Sequence, residues 1–186
     1  MRPIEAADKP ALARAFDQLS EQSRYQRFMT AVDELSDSEL RYLTEVDHHD
    51  HEALIAFDPE TGSGVGVARF VRLEDGGRAE AAVTVIDAWQ GRGLGTILCA
   101  LLAQRAREEG IERFTALLLA SNEQMNDVLS SLGPADVISR EAGTVEVEIE
   151  IPAEGIGDHM AGVLRVLAGG AVQLATPPWG LRAAGD

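Results

Sequence analysis

The sequence predicts a mixed α/β domain of the α+β class, in which helices flank a largely antiparallel sheet. Three observations predict it. Helical periodicity dominates the first 44 residues, apolar strands separated by turns occupy residues 53–86, and a glycine-rich turn then joins a strand to an amphipathic helix. The order helices, strands, helix, strand, helix, strands excludes an all-helical or all-strand fold.

The first helices are predicted from apolar periodicity and from their caps. Residues 10–18 place apolar side chains on one face, and Asp8 is the predicted N-cap of this helix. Residues 20–29 form the next predicted helix. Ser36 and Glu39 are spaced as a capping box, which predicts that a third helix begins there.

The strands and later helices follow from alternating composition and from turn residues. Residues 113–119 are apolar enough to predict a strand that is buried on both faces. Gly110 is the predicted end of the helix that precedes this strand. The predicted strands are 53–57, 66–73, 79–86, 113–119, 137–140 and 145–151, and the predicted helices of this part are 96–107 and 122–132.

The chain of 186 residues is long enough for one domain with a sizeable core, predicted at residues 1–151. Residues 152–186 form a C-terminal tail in which 158–167 have the pattern of a helix with one apolar face. That face predicts a partner, either the acceptor side of the domain or a second copy of the chain. A homodimer is therefore one expectation.

Composition restricts the environment and the partners of the protein. The sequence contains no apolar run of about 18 residues and no secretory leader, and it has one cysteine, Cys99, which we assign to the core. These features predict a cytoplasmic protein that does not enter a membrane. The net charge of −15 argues against nucleic acid as a partner and favours basic partners, unless the acidity serves solubility alone.

The segment 90–95, with the sequence QGRGLG, is the strongest functional signal. Glycine-rich turns before a helix hold phosphates, because backbone N–H groups and the positive end of the helix dipole face the anion. No lysine follows Gly95, so the segment is not a Walker loop, and glycines spaced two apart do not form a dinucleotide loop. Such a loop is expected in nucleotide kinases, dinucleotide enzymes or acyl-coenzyme A enzymes, and the third class remains. The predicted ligand is therefore the phosphates of an acyl-coenzyme A, with a purely structural tight turn as the alternative.

The pattern formed by Gln90, Gly93 and Gly95 after a strand resembles the pyrophosphate loop of the GNAT N-acetyltransferase superfamily. Within that superfamily the chain is similar to the bacterial protein lysine acetyltransferases. Four segments carry this resemblance: 23–28 (SRYQRF), 43–47 (LTEVD), 78–83 (RAEAAV) and 89–95 (WQGRGLG). The resemblance implies a GNAT-like fold with a mostly antiparallel sheet that is splayed at the cofactor site.

The resemblance also implies the co-substrate, acetyl-CoA, and no metal. Glu80 would be the general base, Val83 would supply a backbone N–H to the oxyanion, and Val83 and Val85 would bond the pantetheine arm. The pyrophosphate would lie on Gln90, Gly91, Arg92, Gly93, Leu94, Gly95 and Thr96, with Asn122 as a further contact to the coenzyme. Many members carry a tyrosine acid after this asparagine, and residues 127–131 (DVLSS) contain none.

Several of these side chains have structural alternatives. Glu80 would otherwise be a solvated strand residue paired with Arg78 or Arg69, and Asn122 would otherwise be a helix cap. Arg24 and Arg27 would contact an acidic group of the acceptor, contact a coenzyme phosphate, or remain solvated. The histidines within residues 48–51 lack metal-ligand spacing, so a polar connector entering a strand is favoured over a metal site.

The predicted reaction transfers an acetyl group from acetyl-CoA to an amine, with a protein lysine as the favoured acceptor. The acceptor protein would be one such as an acyl-CoA synthetase, because the resemblance implies that class. Two alternatives stay open: acetylation of a small amine or polyamine, and a non-catalytic sensor that binds acetyl-CoA without turnover.

Overall fold

The computed structural model describes residues 1–152, so the helix predicted at 158–167 lies outside the described residues. Its core is one seven-stranded sheet with the order β1-β2-β3-β4-β5-β7-β6. The strands are β1 (Arg2–Pro3), β2 (His51–Phe57), β3 (Gly64–Arg72), β4 (Arg78–Val85), β5 (Arg113–Leu119), β6 (Ala135–Glu141) and β7 (Thr144–Glu150). All of these strands but the two-residue β1 were predicted, with ends shifted by two residues or fewer.

Five α-helices flank the sheet in the described residues: α1 (Lys9–Asp17), α2 (Glu21–Phe28), α3 (Asp37–Thr44), α4 (Leu94–Glu108) and α5 (Glu123–Ser130). The long helix α4 packs against β2, β3 and β4, while α1 contacts β3 and α3. Alternate residues of β2 serve the two sides, since Leu54 and Ala56 belong to the main core and Ala53 and Ile55 to a second cluster with Leu12.

Every pair of neighbouring strands is antiparallel except β4 and β5, which are parallel. The β4–β5 pairing covers only three residues on each strand, from Arg78 opposite Arg113 to Glu80 opposite Thr115. Beyond Glu80 the two strands separate, while β3 still pairs with β4 as far as Val85. The mostly antiparallel, splayed sheet expected from the resemblance is therefore confirmed.

The capping box predicted for α3 is confirmed, because the Ser36 hydroxyl accepts from the Glu39 N–H and the Glu39 carboxylate accepts from the Ser36 N–H. Gly110 follows α4 with φ of 77°, a left-handed conformation that suits glycine at a helix end. No described helix has both the length and the apolar character needed to cross a membrane.

Two predictions need correction. Asp8 occupies the N-cap position of α1 as predicted, but its side chain does not cap the helix, because its carboxylate is bound to the Arg2 guanidinium at 2.6 and 2.7 Å and to the Glu5 N–H at 2.8 Å. Strand β5 is not buried on both faces, because Leu117 is 52% exposed. Leu117 lies beyond the last β5 residue that pairs with β4.

Candidate active site

The separation of β4 from β5 leaves backbone groups of β4 without a strand partner. The Ile86 N–H donates to the Val65 carbonyl on β3 at 3.0 Å. Backbone groups alternate in direction along a strand, so those of Val83 and Val85 point away from β3, into the gap. This gap is the wedge that the resemblance assigns to the pantetheine arm and the oxyanion.

A cleft of about 600 Å³ opens at this wedge. Its walls come from α2, β4, the glycine-rich loop, α4, β5 and α5. Of the predicted site residues, the cleft lining includes Glu80, Val83, Val85, Gln90, Gly91, Gly93, Leu94, Gly95, Thr96 and Asn122. The fold therefore brings together residues that are up to 42 positions apart in the sequence.

The loop presents the N-terminus of α4 to the cleft. Gly91 and Gly93 have φ of 69° and 78°, a region that side chains other than glycine rarely adopt. Gly93 is the N-cap, and no side chain caps the helix there. The helical bonding starts with the Ile97 N–H, which donates to the Gly93 carbonyl. The first N–H groups of α4 and its dipole thus offer a site for an anion.

Gln90 anchors this loop from inside. Its Nε2 donates to the Val85 carbonyl at 3.0 Å and to the Ser23 hydroxyl at 3.2 Å, which ties the loop to the end of β4 and to α2. Asp87 supports the same junction by accepting from the hydroxyl groups of Ser20 and Ser23. Burial alone would raise the pKa of Asp87, but these donors outweigh it and lower that pKa.

Arg92 is the one predicted loop residue that does not line the cleft. Its guanidinium lies 5.2 Å from the centre of the Trp89 ring, in the range of a cation–π contact. Arg92 is the cation of the predicted phosphate loop. In the structure the helix N-terminus occupies the position that faces the cleft instead.

Glu80 lies where the wedge begins and is exposed to the cleft. Among the described residues no cation lies within 4 Å of its carboxylate. Arg78 pairs with Asp75 and with Glu148, and the Arg69 guanidinium binds His51 and the Leu43 carbonyl. Neither ion pair that the sequence suggests for Glu80 is formed, so the carboxylate is free to meet a substrate.

Two arginines lie beside Glu80 on the α2 side of the sheet. Arg27 lines the cleft, and Arg69, which is 6% exposed, lies behind it. Burial lowers the pKa of Arg27, and the nearby Glu80 carboxylate offsets only part of this effect. Burial, followed by repulsion from Arg27, lowers the pKa of Arg69 to about 9. Arginine side chains stay protonated in proteins at neutral pH, so both guanidinium groups carry a positive charge there.

Arg24, the other arginine that the sequence associates with the acceptor, has a structural role. Its guanidinium donates to the carbonyls of Leu19 and Asp33 and lies 4.5 Å from the centre of the Phe16 ring. It does not line the cleft. Of the two arginines, only Arg27 is in position to meet a substrate.

Asn122 is the N-cap of α5, because its side-chain oxygen accepts from the Met125 N–H at 3.1 Å, and it also lines the cleft.

Cys99 lies in the core as predicted and borders the inner end of the cleft. Burial raises the pKa of the Cys99 thiol to about 12, which makes it a poor nucleophile.

The histidine segment forms a polar connector. His51 begins β2, and the His48 Nδ1 lies 2.7 Å from the buried Glu52 carboxylate. In the part of the chain that the structure describes, no group of three His, Cys, Asp or Glu side chains is placed to hold a metal ion.

Sequence reasoning missed several residues of the cleft wall. Ser23, Phe28 and Met29 of α2 and its C-cap, and Leu117 of β5, all line it. Because their side chains are apolar or small, the sequence predicts positions in the core or on a helix surface for them. Only the position of segment 23–28 within the resemblance could have indicated that α2 belongs to the site.

The family profile described as acetyltransferase (GNAT) domain matches residues 1–134. Two curated relatives are similar over most of the chain. Acetyltransferase Pat of Mycolicibacterium smegmatis is 33% identical over 153 residues, which is 82% of this chain and 45% of that protein. Acetyltransferase PA5475 of Pseudomonas aeruginosa is 30% identical over 135 residues, covering 72% of this chain and 73% of that protein.

Among solved structures, the GNAT domain of S. lividans PAT has a TM-score of 0.74 and 33% identity, covering 81% of this chain and 89% of that chain. The chain spans less than half the length of the mycobacterial Pat. The similarity to the mycobacterial Pat therefore covers a part of that protein and not its whole length.

Proposed function

Since the chain belongs to the GNAT acetyltransferase family, we propose that it moves the acetyl group of acetyl-CoA to the side-chain amine of a protein lysine. The observation that carries the proposal is the wedge between β4 and β5. At its narrow end lies Glu80, whose carboxylate forms no ion pair with a described residue, and at its wide end lies a helix N-terminus that no described side chain caps.

The donor fits this wedge in two ways. Its pyrophosphate would lie on the N–H groups of the loop and of the first turn of α4, where the macrodipole favours an anion. Its pantetheine arm would run along β4 and take the place of the missing strand, bonded by the backbone groups of Val83 and by the N–H of Val85, whose carbonyl already accepts from Gln90. The thioester would then lie next to Glu80.

The acceptor needs a base. A lysine amine has a pKa of about 10.4, so it arrives protonated at neutral pH and cannot attack. Glu80 would remove that proton, directly or through one water molecule, because its carboxylate is exposed to the cleft and has no cation within 4 Å among the described residues.

The free amine would then attack the thioester carbonyl directly. The N–H of Val83 points into the wedge and would stabilise the oxyanion that forms. When the tetrahedral intermediate collapses, the amide forms and coenzyme A leaves as a thiolate. A thiol of pKa about 8.5 leaves without much assistance, so the absence of a tyrosine on α5 is compatible with turnover.

Two observations favour a protein as the acceptor. The sequence resembles bacterial protein lysine acetyltransferases, and two similar proteins carry the name Pat. The net charge of −15 suits a basic surface around the target lysine. We therefore take an acceptor protein such as an acyl-CoA synthetase as the first candidate.

Replacing Glu80 by Gln tests the base. The variant keeps the shape of the side chain and removes the proton acceptor, so we expect kcat for thiol release with a lysine peptide to fall about 100-fold or more. Glu74→Gln is the matched control, because Glu74 is an exposed glutamate of the β3–β4 turn and does not line the cleft.

An unchanged rate in Glu80→Gln would remove Glu80 from the chemistry. Turnover of polyamines and small amines by the wild type, with none of any lysine peptide or protein, would replace protein lysine by a small amine as the acceptor. Binding of acetyl-CoA without turnover of any amine would favour the non-catalytic sensor.

A further inference from the structure

The substrate end of the cleft carries an excess of positive charge. Arg27 and Arg69 lie close enough for each charge to act on the other, and both stay protonated. Among the described residues, Glu80 is the acidic side chain whose charge acts on Arg27, and none lies within 4 Å of its guanidinium. Two cations against one anion leave about one uncompensated charge in a chain whose net charge is −15.

This excess lies at a second, smaller cavity. The cavity has a volume of about 50 Å³ and shares Arg27, Phe28, Ala82 and Thr84 with the cleft. Its walls are otherwise mainly apolar, with side chains such as Leu12 and Phe16, and Arg69 closes it on the sheet side. Apolar walls strengthen the field of the guanidinium groups, since they exclude the water that would screen it.

The size and geometry fit a compact, planar anion. Arg27 makes no side-chain hydrogen bond or ion pair to a described residue, and its Cζ lies 5.1 Å from the centre of the Phe28 ring. Its planar N–H fork therefore remains available, and such a fork matches the two oxygens of a carboxylate. The phosphates of the donor belong to the other end of the cleft, at the N-terminus of α4.

We propose that Arg27, backed by Arg69, forms a carboxylate-binding subsite where the cleft meets the smaller cavity. The carboxylate would come from one of two sources. It is either the free end of a dicarboxylic acyl group carried on coenzyme A, or a carboxylate close to the acceptor amine. The inference rests on the proposed transferase function and adds a specificity to it, because the chemical step, amine attack on a thioester with departure of the thiolate, is the same.

Two substrate pairs distinguish the sources. Succinyl-CoA against acetyl-CoA, with one acceptor, tests the acyl carboxylate. Nα-acetyl-lysine against N-acetylcadaverine, with acetyl-CoA, tests the acceptor carboxylate, since these amines differ only in that group. For each pair the measured quantity is the ratio of kcat/KM with the carboxylate to kcat/KM without it.

The variants are Arg27→Gln, Arg27→Lys and Arg24→Gln, made in the full chain. We expect the wild type to favour the carboxylate substrate of one pair by about 10-fold or more, as for a charged hydrogen bond. Arg27→Gln should bring that ratio towards one, and Arg27→Lys should restore part of it. Arg24→Gln, on the same helix but outside the cleft, should keep the wild-type ratio.

A wild-type ratio near one in both pairs overturns the subsite, and so does an Arg27→Gln variant that slows both members of each pair equally. In either case the transferase function stands, because turnover is still observed. If no amine is turned over, the proposed function fails. The subsite is then tested by calorimetric titration with the four compounds, and equal affinity within both pairs overturns it.

Discussion

At the scale of single residues, the polar side chains near the cleft divide into those that hold the fold and those that are free for a ligand. Gln90, Arg24 and Asn122 are engaged in hydrogen bonds to the backbone. Glu80 and Arg27 have no such bond among the described residues and face the cleft. Sequence alone presents all five as candidate site residues, because the partner that engages a side chain is set by packing between distant segments.

His51 gives a prediction at this scale. Its Nε2 lies 3.1 Å from Arg69 Nη1, and burial, followed by the charge of Arg69, lowers the pKa of His51 to about 4. An unfolded histidine titrates near 6.5. Above that pH both states are neutral. As the pH falls from about 6.5 to 4, the unfolded state takes up a proton that the folded state excludes, so the free energy of unfolding decreases.

His51→Gln removes this titration and keeps an oxygen that can accept from Arg69. Urea unfolding at pH 7.0 and pH 4.5 measures the effect. The free energy of unfolding should fall between these pH values by about 1 kcal/mol less in the variant than in the wild type, a figure reduced because the ring is partly exposed to solvent. An equal loss in both proteins would show that His51 is protonated in the folded state at pH 4.5.

At the scale of the secondary-structure elements, the separation of β4 from β5 creates the site. The sequence predicts both strands, because their apolar runs are bounded by turns. It does not predict that they pair in parallel for only three residues, since this depends on the packing of α4 and α2 against the sheet. For the same reason the exposure of Leu117 is not visible in the sequence. Strand β1 has only two residues, which is too short for an alternating apolar pattern. The sequence therefore does not predict the ion pair between Arg2 and Asp8.

Helix α5 gives the prediction at this scale. Asn122→Ala removes its N-cap and should lower the free energy of unfolding by about 1 kcal/mol, whereas Asn122→Ser retains a capping oxygen and should restore most of the loss. If the carboxamide also contacts the coenzyme, the KM for acetyl-CoA rises in both variants. If Asn122→Ser keeps the wild-type KM for acetyl-CoA, Asn122 acts only as the N-cap of α5.

At the scale of the whole molecule, the net charge opposes the proposed ligand. A chain of net charge −15 repels an anion such as acetyl-CoA at long range. The cleft must therefore supply local positive potential, and Arg92, the loop cation, lies over Trp89 and outside the cleft lining. The phosphates would therefore bind to the N–H groups and the dipole at the N-terminus of α4.

Calorimetric titration with acetyl-CoA tests this claim most directly, with the wild type, Gly93→Asp and Gly76→Asp. Gly93 and Gly76 have nearly equal φ, 78° and 77°, so the backbone strain of the substitution is matched. Only the first places a carboxylate at the N-terminus of α4, since Gly76 lies in the β3–β4 turn. We predict micromolar binding by the wild type and by Gly76→Asp, and its loss in Gly93→Asp. If Gly93→Asp binds acetyl-CoA as tightly as the wild type, or if the wild type does not bind it, the phosphates do not bind at the N-terminus of α4.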